Sequence, residues 1–181
     1  MNIQFITSDL EALKRVLAAG CRWVHFVPKA ETAKETLEEA VCLCREKEAV
    51  LIVDEDAVLC EAVKADGIHL SDPAQTGAVR RQLGEEPLIG VTCRNFDEAK
   101  TARAGGADYL DAGAYEETSA EALRELVRAL YEADFPLPLS VSGMVTLDDI
   151  PTISATGVRG IATSDEAFFK KDVWSLMDKL S

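Results

Sequence analysis

The sequence predicts an α/β chain closed into a (β/α)8 barrel, the TIM-barrel arrangement, as one compact domain over residues 1–181. Three observations lead there. Eight short apolar runs alternate with amphipathic stretches of helical period. Strands separated by helices must run parallel, and an eightfold alternation of this kind closes on itself. No linker, low-complexity segment or composition break divides the 181 residues. The length lies just under the usual lower bound of about 200 residues, so the connecting loops must be short. A doubly wound open sheet is the alternative.

Each element has its own warrant. Ile3–Ile6 is the first strand. Asp9 caps a helix that buries Leu10, Leu13, Val16 and Leu17 on one face, and Gly20 ends it. Arg22–Val27 is the second strand. A long helix from about Glu31 to Lys47 follows, with Leu37, Ala40, Val41 and Cys44 as its buried stripe. Ala49–Val53 is the third strand, ending on Asp54, and Ala57–Lys64 is a short helix. Gly67–Leu70 is the fourth strand, followed by Ser71-Asp72-Pro73, a turn suited to starting a helix. Leu88–Val91 is the fifth, running into Thr92-Cys93, and Asp97–Arg103 is helical up to Gly105-Gly106. Tyr109–Ala112 is the sixth. Ser119–Ala133 is a strongly amphipathic helix. Pro138–Val141 is the seventh strand, then Gly143, with Leu147–Ile153 helical. Gly160–Ala162 is the eighth, and a closing helix runs from Phe168 onward.

Composition excludes several function classes. Hydrophobic residues are 48% and charged residues 28%, the balance of a soluble globular protein. No run approaches the roughly 18 apolar residues of a membrane span. The opening Met-Asn-Ile-Gln-Phe-Ile-Thr-Ser-Asp lacks the basic flank and apolar block of a signal peptide, so a cytoplasmic location is expected. A net charge of −13 repels nucleic acid, which removes that partner class. Small phosphorylated molecules remain, because a local pocket can oppose the global field. A homo-oligomer is left open. The five cysteines are odd in number and predict free thiols rather than a disulfide framework. Cys42 and Cys44 point about 200° apart on their helix, which favours packing over shared metal ligation.

Active sites of such barrels lie at the C-terminal ends of the strands. Reading those ends gives the candidates. Gly143 after the seventh strand lets a ligand approach the backbone. Thr163-Ser164 open the final helix, where backbone N–H groups favour an anion. Together they make a phosphate seat. Lys29, at the tip of the second strand, can hold a phosphate as a point charge. Asp54, at the tip of the third, can hold Mg²⁺. The plainer alternatives are a turn at Gly143, an N-cap at Ser164 and a surface ion pair of Lys29 with Asp54. His25 and His69 point either into the barrel or onto the helix layer, and a strand histidine is more often a hydrogen-bonded core residue than a catalyst.

The chain resembles thiamine phosphate synthase and its relative, the thiazole tautomerase, along nearly its whole length. The carrying segments are Gly20-Cys-Arg-Trp-Val24, Leu51-Ile-Val-Asp54, Ala65-Asp-Gly-Ile-His-Leu70, Ile89-Gly-Val-Thr92, Gly106-Ala-Asp-Tyr109 and Gly157-Val-Arg-Gly-Ile-Ala162. The resemblance implies the barrel fold and a transferase that joins hydroxymethylpyrimidine diphosphate to thiazole phosphate with Mg²⁺. It implies Lys29 and Asp54 as catalytic residues. It also implies a substrate and phosphate site at His25, Thr92, Gly143, Thr163 and Ser164, and metal ligation by Asp54. Asp72 is the candidate second metal aspartate, two residues before the matching position at Ala74. The family's Gln-Leu-Arg-x-Lys on the second strand reads His25-Phe26-Val27-Pro28-Lys29 here. The loop after the sixth strand is shortened to Gly113–Ser119 without its lysine, and the tautomerase histidine falls at Ala114. A phosphate-ligand-binding or scaffold protein of the same fold, impaired in catalysis, is the second expectation.

Overall fold

In the computed structural model, described for residues 1–29, 33–170 and 173, eight parallel strands form a closed barrel in sequential order. They are β1 (Asn2–Thr7), β2 (Trp23–Phe26), β3 (Val50–Asp54), β4 (Gly67–Leu70), β5 (Leu88–Thr92), β6 (Tyr109–Ala114), β7 (Leu139–Ser142) and β8 (Gly160–Thr163). Seven helices connect them: α1 (Leu10–Ala18), α2 (Ala33–Glu46), α3 (Ala57–Val63), α4 (Thr76–Leu83), α5 (Phe96–Ala104), α6 (Ala120–Glu132) and α7 (Ile150–Ser154). The ring closes through β1 and β8, with Asn2 opposite Gly160 and Phe5 opposite Thr163. The closed ring, not the open sheet, is the fold.

Local chemistry sets the boundaries close to where the pattern placed them. Asp9 accepts the Glu11 N–H at 2.9 Å and starts α1. Asp56, Asn95 and Ser119 do the same for α3, α5 and α6. These caps satisfy N–H groups that a helix start leaves without partners. One expectation changes. The segment after β8 begins as a short 3-10 turn, Glu166–Phe169, and not as a helix opening at Thr163-Ser164. The remainder of the expected closing helix lies outside the described residues, except Val173, as does the Glu31 start of the helix before β3.

Successive strand side chains point to opposite faces of the wall. The outward set is apolar: Val24, Phe26, Leu51, Val53, Ile68 and Leu70 are fully buried beneath the helices. Ala102 of α5 and Leu123 of α6 are likewise without exposure. The inward set is largely polar, and includes Gln4, His25, His69, Tyr109 and Asp111, all buried. Glycine makes room for it at one point. A Cβ on Gly90 would fall onto the Tyr109 ring, so the tyrosine fills the barrel because its neighbour has no side chain. At the N-terminal floor a cavity of about 40 Å³ is lined by Gln4, Trp23, Tyr109 and Ser140. The neighbouring Trp23 Nε1 is a buried donor without a hydrogen-bond partner among the described residues.

Candidate active site at the barrel mouth

Three groups of side chains organise the C-terminal end of the barrel. The first is a dyad. His25 Nε2 lies 2.9 Å from Asp54 Oδ1, the imidazole N–H donating to the carboxylate. The residues sit on neighbouring strands, β3 pairing with β2 so that His25 lies opposite Ile52. Asp54 is two residues further along and leans back over the histidine. Its side chain is 31% exposed against 9% for His25, so the carboxylate is the solvent-facing half.

The second group is a relay that runs up the barrel axis. Gln4 Nε2 donates to the Tyr109 hydroxyl at 3.5 Å. Tyr109 lies 3.3 Å from His69 Nδ1, and His69 Nε2 lies 2.9 Å from Thr92 Oγ1. Burial, with the neighbouring His25 second, pushes His69 down to about 3. The ring is therefore neutral and has one donor and one acceptor. Burial also raises the Tyr109 phenol, which keeps its proton. With Gln4 already donating to it, the Tyr109 O–H donates a hydrogen bond to Nδ1. His69 then carries its hydrogen on Nε2 and donates to Thr92. The relay contacts the dyad, because the His25 and His69 rings are 5.0 Å apart and tilted by 38°.

The third group centres on Asp111, a carboxylate only 2% exposed. Ser142 Oγ and the Gly113 N–H donate to its Oδ1 at 2.8 and 2.7 Å, and Ser140 Oγ donates to its Oδ2 at 2.9 Å. Burial raises its pKa, opposed first by the Ser142 and Ser140 hydroxyls. The three donors are what make a buried carboxylate tolerable. Ser140 and Ser142 reach it because β7 lies alongside β6, with Asp111 opposite Ser140.

The mouth thus joins some of the candidate residues and separates others. His25 and Asp54 touch, and Thr92 connects to them through His69. Lys29 is exposed three residues beyond β2. Asp72 is exposed and turned to local work. Its Oδ1 accepts the Ala74 N–H at 2.9 Å and its Oδ2 lies 3.4 Å from Gln75 Nε2, so it caps the 3-10 turn Pro73–Gln75. Gly143 adopts φ +102°, and the Met144 N–H beside it donates to Glu116 Oε2 at 2.9 Å. Thr163 is 1% exposed, its hydroxyl accepting the Asp165 N–H at 3.1 Å. Ser164 is exposed.

Sequence reasoning missed Tyr109, Asp111 and Ser140 as site residues. Asp111 carried a signal: a lone carboxylate in the run Tyr-Leu-Asp-Ala, where an apolar residue is expected. Glu116 lies in the shortened loop after β6, and its partner, the Met144 N–H, is fixed only by how that loop folds.

These donors do not suit Mg²⁺. The ion prefers several oxygen ligands in octahedral array. Asp54 has one oxygen engaged by an imidazole, and both oxygens of Asp72 serve its own turn. Among the described residues no three His, Cys, Asp or Glu side chains gather into a metal-holding group. No helix among them is long and apolar enough to cross a membrane.

A family model for thiamine monophosphate synthase matches residues 2–167. The chain belongs to that family. It is 34% identical to a thiamine-phosphate synthase of Bacteroides fragilis, over 91% of this chain and 90% of that protein. It is 32% identical to one of Phocaeicola vulgatus, over 95% of this chain and 92% of the other. Among solved structures it superposes on a thiamine phosphate pyrophosphorylase of Pyrococcus furiosus with a TM-score of 0.83, at 22% identity, covering 99% of this chain and 96% of that one. The family resemblance read from the strand segments is therefore shown, and the structural likeness confirms the barrel.

Proposed function

We propose that this member of the thiamine monophosphate synthase family binds a small heterocyclic intermediate of thiamine biosynthesis at the barrel mouth. In this reading it does not carry out magnesium-assisted diphosphate transfer. The observation that carries the reading is the 2.9 Å contact of His25 Nε2 with Asp54 Oδ1. It turns the carboxylate expected to hold the metal into a partner for an imidazole. The same pair, with Thr92 linked to it through His69, offers donors and acceptors suited to a nitrogen heterocycle. Buried, pre-positioned polar groups of this kind give orientation and specificity in ligand sites.

The second reading is the transferase joining hydroxymethylpyrimidine diphosphate to thiazole phosphate. It is favoured by Lys29 and Asp54 following consecutive strands at the same end of the barrel. One experiment separates the two. The protein is mixed with Mg²⁺, the pyrimidine diphosphate and the thiazole phosphate, and thiamine phosphate is measured alongside the melting curve. Binding without turnover is expected. A ligand at one hundred times its Kd stabilises the fold by about 2.7 kcal/mol, which a melting curve resolves. Turnover that Asp54→Asn abolishes establishes the transferase instead. A melting curve that no thiamine intermediate moves leaves the scaffold role.

A further inference from the structure

In phosphate-binding barrels the anion sits against the loops that follow the seventh and eighth strands. Both loops of this chain are already occupied by its own carboxylates. After β7, Gly143 takes the positive φ that turns the backbone and leaves the next N–H pointing outward. That N–H, of Met144, donates to Glu116 Oε2 at 2.9 Å. Glu116 comes from the neighbouring loop, the 3-10 turn Tyr115–Glu117 after β6, which pairs with β7. Its carboxylate is so close to Gly143 that a Cβ there would collide with it. After β8, Asp165 Oδ1 accepts the Ala167 N–H at 2.8 Å, and the Thr163 hydroxyl accepts the Asp165 N–H at 3.1 Å. The Arg15 guanidinium is held by both oxygens of Glu166 at 2.6 and 3.0 Å. Each of these donors, which a phosphate would use, has an internal anion or hydroxyl on it.

Charge points the same way. A phosphate ester entering this cleft meets Glu116 and Asp165 at one side and Asp54 at the other. Displacing Glu116 leaves its negative charge beside the ester, and like charges at contact distance repel. An unphosphorylated ligand meets no such penalty. Its ring donors find Asp54, whose Oδ1 alone is engaged by His25.

We infer that the mouth selects an unphosphorylated heterocyclic alcohol over its phosphate ester, with Glu116 as the specificity-determining residue that stands in the anion seat. This rests on the binding role proposed above and names its ligand class. No bond is made or broken in the step. Binding energy alone discriminates.

The test is isothermal titration of the full-length protein with hydroxymethylpyrimidine and with its phosphate monoester, repeated with Glu116→Ala, Glu116→Gln and Asp165→Asn. Wild type is expected to bind the alcohol at least tenfold more tightly than the ester. Glu116→Ala is expected to tighten the ester by about 10–100-fold, the worth of one charge-assisted hydrogen bond, and so to narrow or reverse the alcohol-to-ester ratio. Glu116→Gln keeps the shape and a carbonyl acceptor for Met144, so it removes charge alone and is expected to give part of the gain. It carries the test if the alanine variant fails to fold. Asp165→Asn retains a capping side chain and is expected to give a smaller gain. Wild type preferring the ester, or a ratio that neither Glu116 variant moves, overturns the inference and leaves the binding role standing. Wild type binding neither compound overturns both.

Discussion

The two faces of the barrel wall come from the same eight strands and obey opposite rules. Outward, Val24, Phe26, Leu51, Val53, Ile68 and Leu70 meet the helices as a continuous apolar layer with no exposure. Inward, Gln4, His25, His69, Tyr109 and Asp111 are also buried, yet each is polar and each has a partner. The outer face stabilises by area removed from water, which needs no particular geometry. The inner face is more sensitive to lost hydrogen bonds, because an unsatisfied buried polar group costs about 1–3 kcal/mol. The difference teaches where function can vary. Substitution outward changes how firmly the ring closes. Substitution inward changes which groups face the mouth, at little cost to topology.

The largest effect is expected from the outer face. Leu51 is fully buried under the helices and belongs to the continuous core. Leu51→Ala removes its contacts and leaves a cavity, for a loss of about 2–5 kcal/mol. Urea unfolding checks it, with a lowered midpoint at unchanged slope. A loss well under that range would mean that the outer layer is not the principal source of stability.

The inner face is tested by pH. His69 is pushed from its ordinary 6.5 down to about 3 by burial. The unfolded chain therefore takes up a proton near pH 6.5 that the folded chain refuses until about pH 3. The stability linked to neutral His69 is present above pH 6.5 and is lost as pH falls through that window. His69→Gln keeps a donor and an acceptor but cannot titrate. The gap in Tm between wild type and variant is expected to be widest near neutrality and to shrink or reverse toward about pH 4. A pH-independent gap would show that the histidine is not held neutral.

Asp111 has the opposite sign. Its folded pKa is raised above the ordinary 3.8, chiefly by burial. Its contribution is therefore full below pH 3.8 and declines as pH rises through the raised value. Asp111→Asn removes the charge, and the Ser140 and Ser142 hydroxyls can rotate to suit the amide. The variant is expected to gain on wild type as pH rises toward neutrality, and the advantage to fade in acid. Thermal melts of the two proteins across that range measure it. A variant that is less stable than wild type at every pH would mean that the charge itself is needed to hold β6 to β7.

How much of this was legible in the sequence differs between the faces. The outer face was read residue by residue, because apolar periodicity is a local signal. Leu13, Val16, Leu37 and Val41 lie buried where the helical stripes placed them. The inner face was read only in part. His25 and Asp54 were both singled out, but their contact depends on the offset between β2 and β3, which no local window contains. Asp72 was assigned to the mouth by its position after a strand. The turn expected at Ser71-Asp72-Pro73 is there as a 3-10 turn, and the carboxylate offered as a metal ligand caps it. The seat at Gly143 was recognised from the glycine, whereas the contact of Glu116 with it depends on how the loop after β6 folds against its neighbour after β7.

The smallest expected effect distinguishes the faces by reactivity. Cys21, Cys44, Cys60 and Cys93 are buried, and Cys42 alone of the five cysteines is exposed. Burial pushes Cys21 and Cys60 up to about 11, and Cys44 and Cys93 up to about 12. A thiol reacts as its thiolate, so these four are shielded twice, by access and by acidity. Cys42 lies on the outer side of α2, away from Cys44, which points into the core. A native-state thiol titration at about pH 8, near the ordinary thiol range, is expected to modify one cysteine quickly. The other four should follow only at the rate of global unfolding, with Cys42→Ser abolishing the fast phase. A second fast thiol would reveal that part of the outer layer opens far below the cost of unfolding, and the contrast between a firm outer face and an adaptable inner one would then fail on its firm side.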